Sequence, residues 1–104
     1  MAQFDIYANP SPNNEGFPYV VDMQNNQLAS LPTRFVMPLQ RLARQPAGLP
    51  RRLVQSVDVG GERFYMAVQQ CAAVPARSLK KAVGSVAGRS ADFADALDAV
   101  ISGV

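Results

Sequence analysis

The sequence predicts an α+β fold that is mainly β: about five short antiparallel strands curled into a small sheet, with one amphipathic helix closing the chain. Three observations carry this. Apolar residues recur at helical spacing through the last fifteen residues, Ser90 to Val104. Upstream, apolar and polar residues alternate in short runs separated by proline, glycine and asparagine. Gly60-Gly61 stands between two such runs, where a tight hairpin turn needs positive φ angles.

The strands follow in order. Gln3 to Tyr7 alternates, with Phe4 and Ile6 set against Gln3 and Asp5. The run from Asn9 to Gly16 holds two prolines and is a long loop, either a spacer or a binding element. Tyr19 to Met23 is the second strand, closed by Asn25-Asn26. Arg34 to Leu39 is the third, with Pro38 ending it or placing it at a sheet edge. Gln40 to Pro50 is irregular. Leu53 to Val68 is the clearest hairpin: Val57 and Val59 alternate with Ser56 and Asp58, and on the return Phe64, Met66 and Val68 alternate with Arg63, Tyr65 and Ala67. Ala72 to Leu79 adds a short strand around Pro75, and Lys80 to Gly88 is ambiguous because its two glycines weaken a helix.

In the closing helix, Phe93, Leu97, Val100, Ile101 and Val104 share one face at about 100° per residue, opposite Asp92, Asp95 and Asp98. Ser90 is placed to cap the start, and Gly103 to end the helix in a left-handed conformation. Phe93 and Leu97 are expected in the core. Ile101 to Val104 either join it or overhang to meet a partner, since an apolar exit differs from the usual polar tail.

At 104 residues, with 48% hydrophobic and 17% charged residues, the chain is expected to form one globular domain, residues 1–104. Its net charge of +2 does not by itself call for nucleic acid. Five arginines and no acid lie between Arg34 and Arg52, which is either a solvated face or a seat for an acidic, extended partner. With no histidine there is no Ser-His-Asp triad, histidine base or histidine-held metal. The lone Cys71, flanked by Ala72-Ala73, is expected to be a buried, inert thiol. No cofactor is expected. A start without basic and apolar signal regions, and no apolar run of about 18 residues, predict a cytoplasmic protein that makes no membrane contact.

Read end to end, the chain resembles the CcdB family. The matching features are Gln3-Phe4 and Ile6-Tyr7, Val21-Asp22-Met23-Gln24, and Arg34-Phe35-Val36-Met37-Pro38-Leu39. Val59-Gly60 with Glu62 and Phe64, Val74-Pro75, and the helix ending in Gly103 and Val104 complete the set. The resemblance implies an SH3-like barrel with a C-terminal helix, working as a homodimer. It implies a toxin of a type II toxin–antitoxin module that traps DNA gyrase through its A subunit and catalyses nothing. It further implies a cognate antitoxin with a disordered acidic C-terminal segment, and DNA contact only indirectly through those partners. The gyrase-binding residues carried over are Ser102, Gly103, Val104, Ile101, Asp98 and Leu28.

Four of these depart from the family pattern. The family ends in Trp-Gly-Ile, where this chain has Ser102, Gly103 and Val104, and it contains no tryptophan at all. The family's asparagine one turn earlier is Asp98, and its exposed isoleucine pair is Gln27 and Leu28. A toxin fold with a lost or changed target is therefore a second reading. A third is an endoribonuclease of the related MazF-like kind, in which Arg63 or another arginine would work with Asp58 or Glu62.

Overall fold

A computed structural model of the chain describes residues 2–11, 16–41 and 55–102. Strands β1 (Asp5–Ala8), β2 (Tyr19–Asp22), β3 (Thr33–Arg41), β4 (Ser56–Val59), β5 (Glu62–Met66), β6 (Ala72–Pro75) and β7 (Gly84–Ser85) precede one helix, α1 (Ser90–Ser102). All pairings are antiparallel, in the order β4-β5-β3-β2-β1-β7, with β6 also paired to β3. The result is a nearly closed, mainly β barrel with a C-terminal helix, as both the alternation and the resemblance imply. The strand beyond expectation is β7. Its two residues pair with Asp5 and Ile6 inside the segment whose glycines left its class open.

The β4–β5 hairpin forms as its sequence dictates. Gly60 and Gly61 adopt φ angles of +60° and +84°, and Val57 faces Phe64 across the ladder. The return strand stops at Met66. Ala67 is fully buried and Val68 begins a one-turn 3-10 helix (Val68–Gln70), so the expected alternation through Val68 ends two residues early.

Pro38 neither ends β3 nor marks an edge. One side of β3 pairs continuously with β2, from Val36 opposite Asp22 to Leu39 opposite Tyr19. The other side is shared: residues 33–36 pair with β6 and residues 39–41 with β5. Pro38 falls in the gap between these partners, and its carbonyl accepts the Ala67 N–H at 2.9 Å on that side. Its missing N–H therefore faces the one stretch of β3 where no ladder bond is required.

The two faces of the sheet differ in chemistry. One face buries Ile6, Val21, Met37, Leu39, Phe64 and Met66 with Phe93 and Ala96 of the helix. On the other, Tyr7, Val20, Val36 and Leu79 form a smaller cluster. Arg34, on the same side of β3 as Val36, is 1% exposed, and its Nε and Nη2 donate to Asp22 Oδ2 at 2.9 and 2.5 Å. An arginine counted in the acid-free stretch is thus an internal ion pair. Arg41, the next, pairs with Glu62 on the surface, and residues 44, 51 and 52 lie outside those described. Burial first, then the carboxylates of Asp5 and Asp22, raise the Tyr7 phenol above its ordinary range, against a lowering by Arg34.

The helix begins differently from expectation. A 3-10 turn, Ala87–Arg89, runs straight into it, so Ser90 is already helical at φ −55° and ψ −38° and caps nothing. The Ala87 N–H is taken instead by Ser85 Oγ at 3.2 Å. Arg89 fastens this end to the barrel through Asp92, the Gln55 side chain and the Ser56 carbonyl. Phe4 adds a second fastening. It adopts φ +72°, unusual for an aromatic residue, and packs edge-on against Phe93 with ring centroids 6.4 Å apart.

Candidate functional site

The apolar stripe of α1 divides along its length. Phe93 and Ala96 are fully buried and Leu97 is partly so, whereas Val100 is 40% and Ile101 75% exposed. Ala96, too small to stand out in the periodicity, is a core anchor. Val100 and Ile101 are not. The last turn overhangs the barrel, which decides between the two outcomes the sequence left open for Ile101. Asp98 is exposed one turn earlier, and Ser102 is the final helical residue. Asp98, Ile101 and Ser102 are thereby brought together at spacings of three and four residues on one helix end. The expected cap at Gly103 and the site residue Val104 lie outside the described residues.

Leu28 belongs to another element. It ends a 3-10 turn, Asn26–Leu28, that Asn25 caps by accepting the Gln27 N–H at 2.8 Å, and it is 48% exposed. The helix packs mainly on the 3-10 turn Val68–Gln70 and on its own preceding turn, Ala87–Arg89. Leu31 and Phe35 are exposed on the same connection and at the start of β3, at 45% and 36%. Isolated exposed apolar residues are ordinary, but three within eight positions make a surface worth attention.

Buried polar groups hold that turn in place. Asp22 Oδ1 accepts the Gln24 N–H at 3.0 Å, while Arg34 holds its other oxygen. Gln24 donates from Nε2 to the Leu28 carbonyl at 2.9 Å, and its Oε1 accepts the Phe35 N–H at 3.0 Å. Gln24 thus ties the Leu28 turn to β3. Sequence reasoning found Gln24 only as part of a matching run. Its signal was a polar residue following Met23 at the end of a strand, which one sequence does not separate from a solvated position.

The groups that ribonuclease chemistry would need lie elsewhere. Arg63 Nε is 3.8 Å from Asp58 Oδ1, and Arg41 bonds Glu62. All four side chains are exposed on the β-hairpin and the neighbouring end of β3, as surface ion pairs rather than in a cleft. Cys71 is half-buried rather than fully buried, and Ala72 and Ala73 beside it are exposed. Burial still pushes its thiol up from 9.0 to about 11, which keeps it protonated and unreactive near neutral pH.

Compared with known families, residues 3–103 match the family described as CcdB protein. The chain belongs to the CcdB family. The match takes in the barrel, the Leu28 turn and the whole helix, so the resemblance read from scattered runs holds along essentially the whole length. No individual curated protein matches the chain. Membership in the CcdB family supports a toxin of a toxin–antitoxin pair. Among the described residues no helix is long and apolar enough to cross a membrane.

Proposed function

We propose that this CcdB-family protein is the toxin of a type II toxin–antitoxin module that binds the A subunit of DNA gyrase and poisons the enzyme without catalysing a reaction. It acts in the cytoplasm, as a homodimer of one-domain chains spanning residues 1–104, and is neutralised by a cognate antitoxin with an acidic, disordered segment. The observation that carries this reading is the overhanging helix end. Ile101, three-quarters exposed, stands beside Asp98 and Ser102, where the family's target-binding end would be. Leu28, half-exposed on its own turn, joins this surface.

Expression in bacteria, with and without the antitoxin encoded by the neighbouring frame, tests it. Growth arrest with gyrase-dependent DNA breaks, relieved by the antitoxin, is the expected result. Arrest without such breaks overturns the gyrase assignment. Sedimentation at micromolar concentration checks the dimer, and a single 11.2 kDa species contradicts it.

One observation favours a second reading, a toxin fold with a changed target. Ser102 replaces the aromatic that would stack on a gyrase arginine, an interaction worth about 0.5–2 kcal/mol, and serine regains at most a hydrogen bond. An arrest with intact DNA would bring this reading forward. The ribonuclease reading has no comparable support, because its candidate acids and bases are solvent-exposed pairs.

A further inference from the structure

Phe4 holds a backbone conformation that its side chain disfavours. It occupies the third position of a turn from Ala2 to Asp5, closed by the Asp5 N–H on the Ala2 carbonyl at 3.1 Å, with φ +72°. A positive φ at that position ordinarily calls for glycine or asparagine, because a bulky side chain crowds the backbone there. Among the described residues Phe4 is the one non-glycine residue with a positive φ.

The backbone bonds account for the conformation but not for the residue. An extended residue points its N–H and its carbonyl at the same neighbouring strand. Phe4 divides them between the two strands that flank β1. Its N–H donates to the Asp22 carbonyl at 2.5 Å, at the end of β2, and its carbonyl accepts the Val86 N–H at 2.8 Å, just past β7. Glycine would make the same two bonds without strain, so the backbone alone gives no reason for an aromatic ring.

The ring's partner supplies one. Phe4 meets Phe93 in the first turn of α1. The residue before it grips a different element. Gln3 donates from its N–H to Asn26 Oδ1 at 2.9 Å and from Nε2 to the Met23 carbonyl at 3.0 Å. Asn26 opens the turn that ends at Leu28. Two consecutive residues therefore hold the two elements whose exposed side chains, Leu28 and Ile101, belong to the proposed target surface. Arg89 also fastens the helix, but its partners are Asp92, Gln55 and Ser56, none of them on the Leu28 turn.

We infer that Gln3 and Phe4 are positioning residues: they set the Leu28 turn and the overhanging end of α1 at one fixed geometry, and so present both to a single partner. The helix acts as a lever. Ile101 lies eight residues beyond Phe93, about 12 Å along the axis. A tilt of about 10° at Phe93 moves Ile101 by about 2 Å, enough to break a van der Waals contact. The strained conformation of Phe4 keeps the ring at the one place where the chain also reaches the turn. What binds this surface rests on the function proposed above; the link between its two elements does not.

The test uses the full chain, isotope-labelled, with amide dipolar couplings reporting the orientation of α1 and hydrogen exchange reporting the Leu28 turn. Phe4→Gly relaxes the backbone and removes the ring. The expected result is a reoriented α1 on an unchanged barrel, with affinity for a gyrase A fragment lower by about fivefold or more, as for linked sites in general. Phe4→Tyr keeps the ring and should keep both parent values. Gln3→Ala should speed exchange of the Leu28 and Ala29 amides by about fivefold, the contribution of one hydrogen bond, and should also weaken gyrase binding. Leu79→Ala serves as the control for lost stability. It loosens the smaller cluster on the other face and should leave the orientation of α1 and the gyrase affinity as in the parent.

An unmoved helix in Phe4→Gly, or parent-like exchange at the Leu28 turn in Gln3→Ala, overturns the link. A helix that turns while gyrase affinity holds overturns the positioning role. Equal loss of affinity in Leu79→Ala reduces the effect to general destabilisation and overturns it too. Failure of the wild type to bind the gyrase fragment would remove the target reading, and the couplings and exchange rates would still decide whether the link exists.

Discussion

The two halves of the closing helix have the same apolar periodicity and opposite environments. In the first half, Phe93 and Ala96 are sealed under the barrel and Arg89 ties the helix start to β4. In the second, Val100 and Ile101 face solvent. Helical spacing reports that a face is apolar and is silent on what covers it. The separating factor is what lies underneath: the barrel core covers the stripe as far as Leu97, and Val100 and Ile101 lie beyond that cover. Apolar residues beyond that point do little for the fold.

The largest effect expected from this contrast is on stability. Phe93→Ala should cost about 3–5 kcal/mol, much of the roughly 5–15 kcal/mol available to a domain. The melting temperature should fall by more than about 10 °C. Ile101→Ala, eight residues along the same face, should stay within about 0.5 kcal/mol of the parent. Equal losses in calorimetry would abolish the distinction between the halves.

Removal of Ser102, Gly103 and Val104 sharpens it from the functional side. Growth arrest on expression should disappear, while the melting temperature shifts by no more than a few degrees, because the last anchors are Ala96 and Leu97. A large drop in melting temperature would mean that the terminal turn supports the core.

A smaller change should run in the opposite direction. Ser102→Trp restores an aromatic to the exposed end, and its affinity for a gyrase A fragment should rise about tenfold if an arginine stack is regained. Titration of both proteins in one buffer measures this. Unchanged or weaker binding would show that the partner surface differs as well, and would favour the changed-target reading.

The smallest effect concerns Cys71, which packs against the main core below the helix. Its folded-state thiol ionises near 11 rather than 9.0. Between those values the unfolded chain has released a proton that the folded chain keeps, so stability is full below pH 9 and declines as pH rises through the window. Urea midpoints at pH 8 and pH 10.5 should therefore differ less for Cys71→Ser than for the parent. An identical decline would place the alkaline sensitivity in other groups.

Legibility followed the range of the signals. Gly60-Gly61 announced its turn because the constraint is local, and the alternation of Val57, Val59, Phe64 and Met66 set the hairpin's inward face. The overhang of Ile101 was left open because exposure depends on what packs over the helix, which periodicity does not carry. Arg34 was read as surface charge, since its counter-ion, Asp22, is twelve residues upstream and one strand away. A hint was present: Arg34 shares its parity on β3 with Val36, which is buried. The Ser90 cap failed because the 3-10 turn extends helical structure backward into a glycine-containing segment whose propensity argued against it. Of the candidate site, the helix end was visible in advance, while Gln24's hold on the Leu28 turn was not.

Pro38 has a bearing on how the chain avoids misassembly. β3 offers one edge to two different strands, and those strands, β5 and β6, follow one another in sequence with only a short turn between. A continuous edge would let either partner creep past its station, and a slip of one residue exchanges inward and outward side chains throughout the intruding strand. A ring nitrogen at the border cannot reward that creep with a hydrogen bond, and each partner gains most by stopping on its own side. Pro38 thus works as a boundary marker against competing registers, a role that concerns the structures the chain must not form.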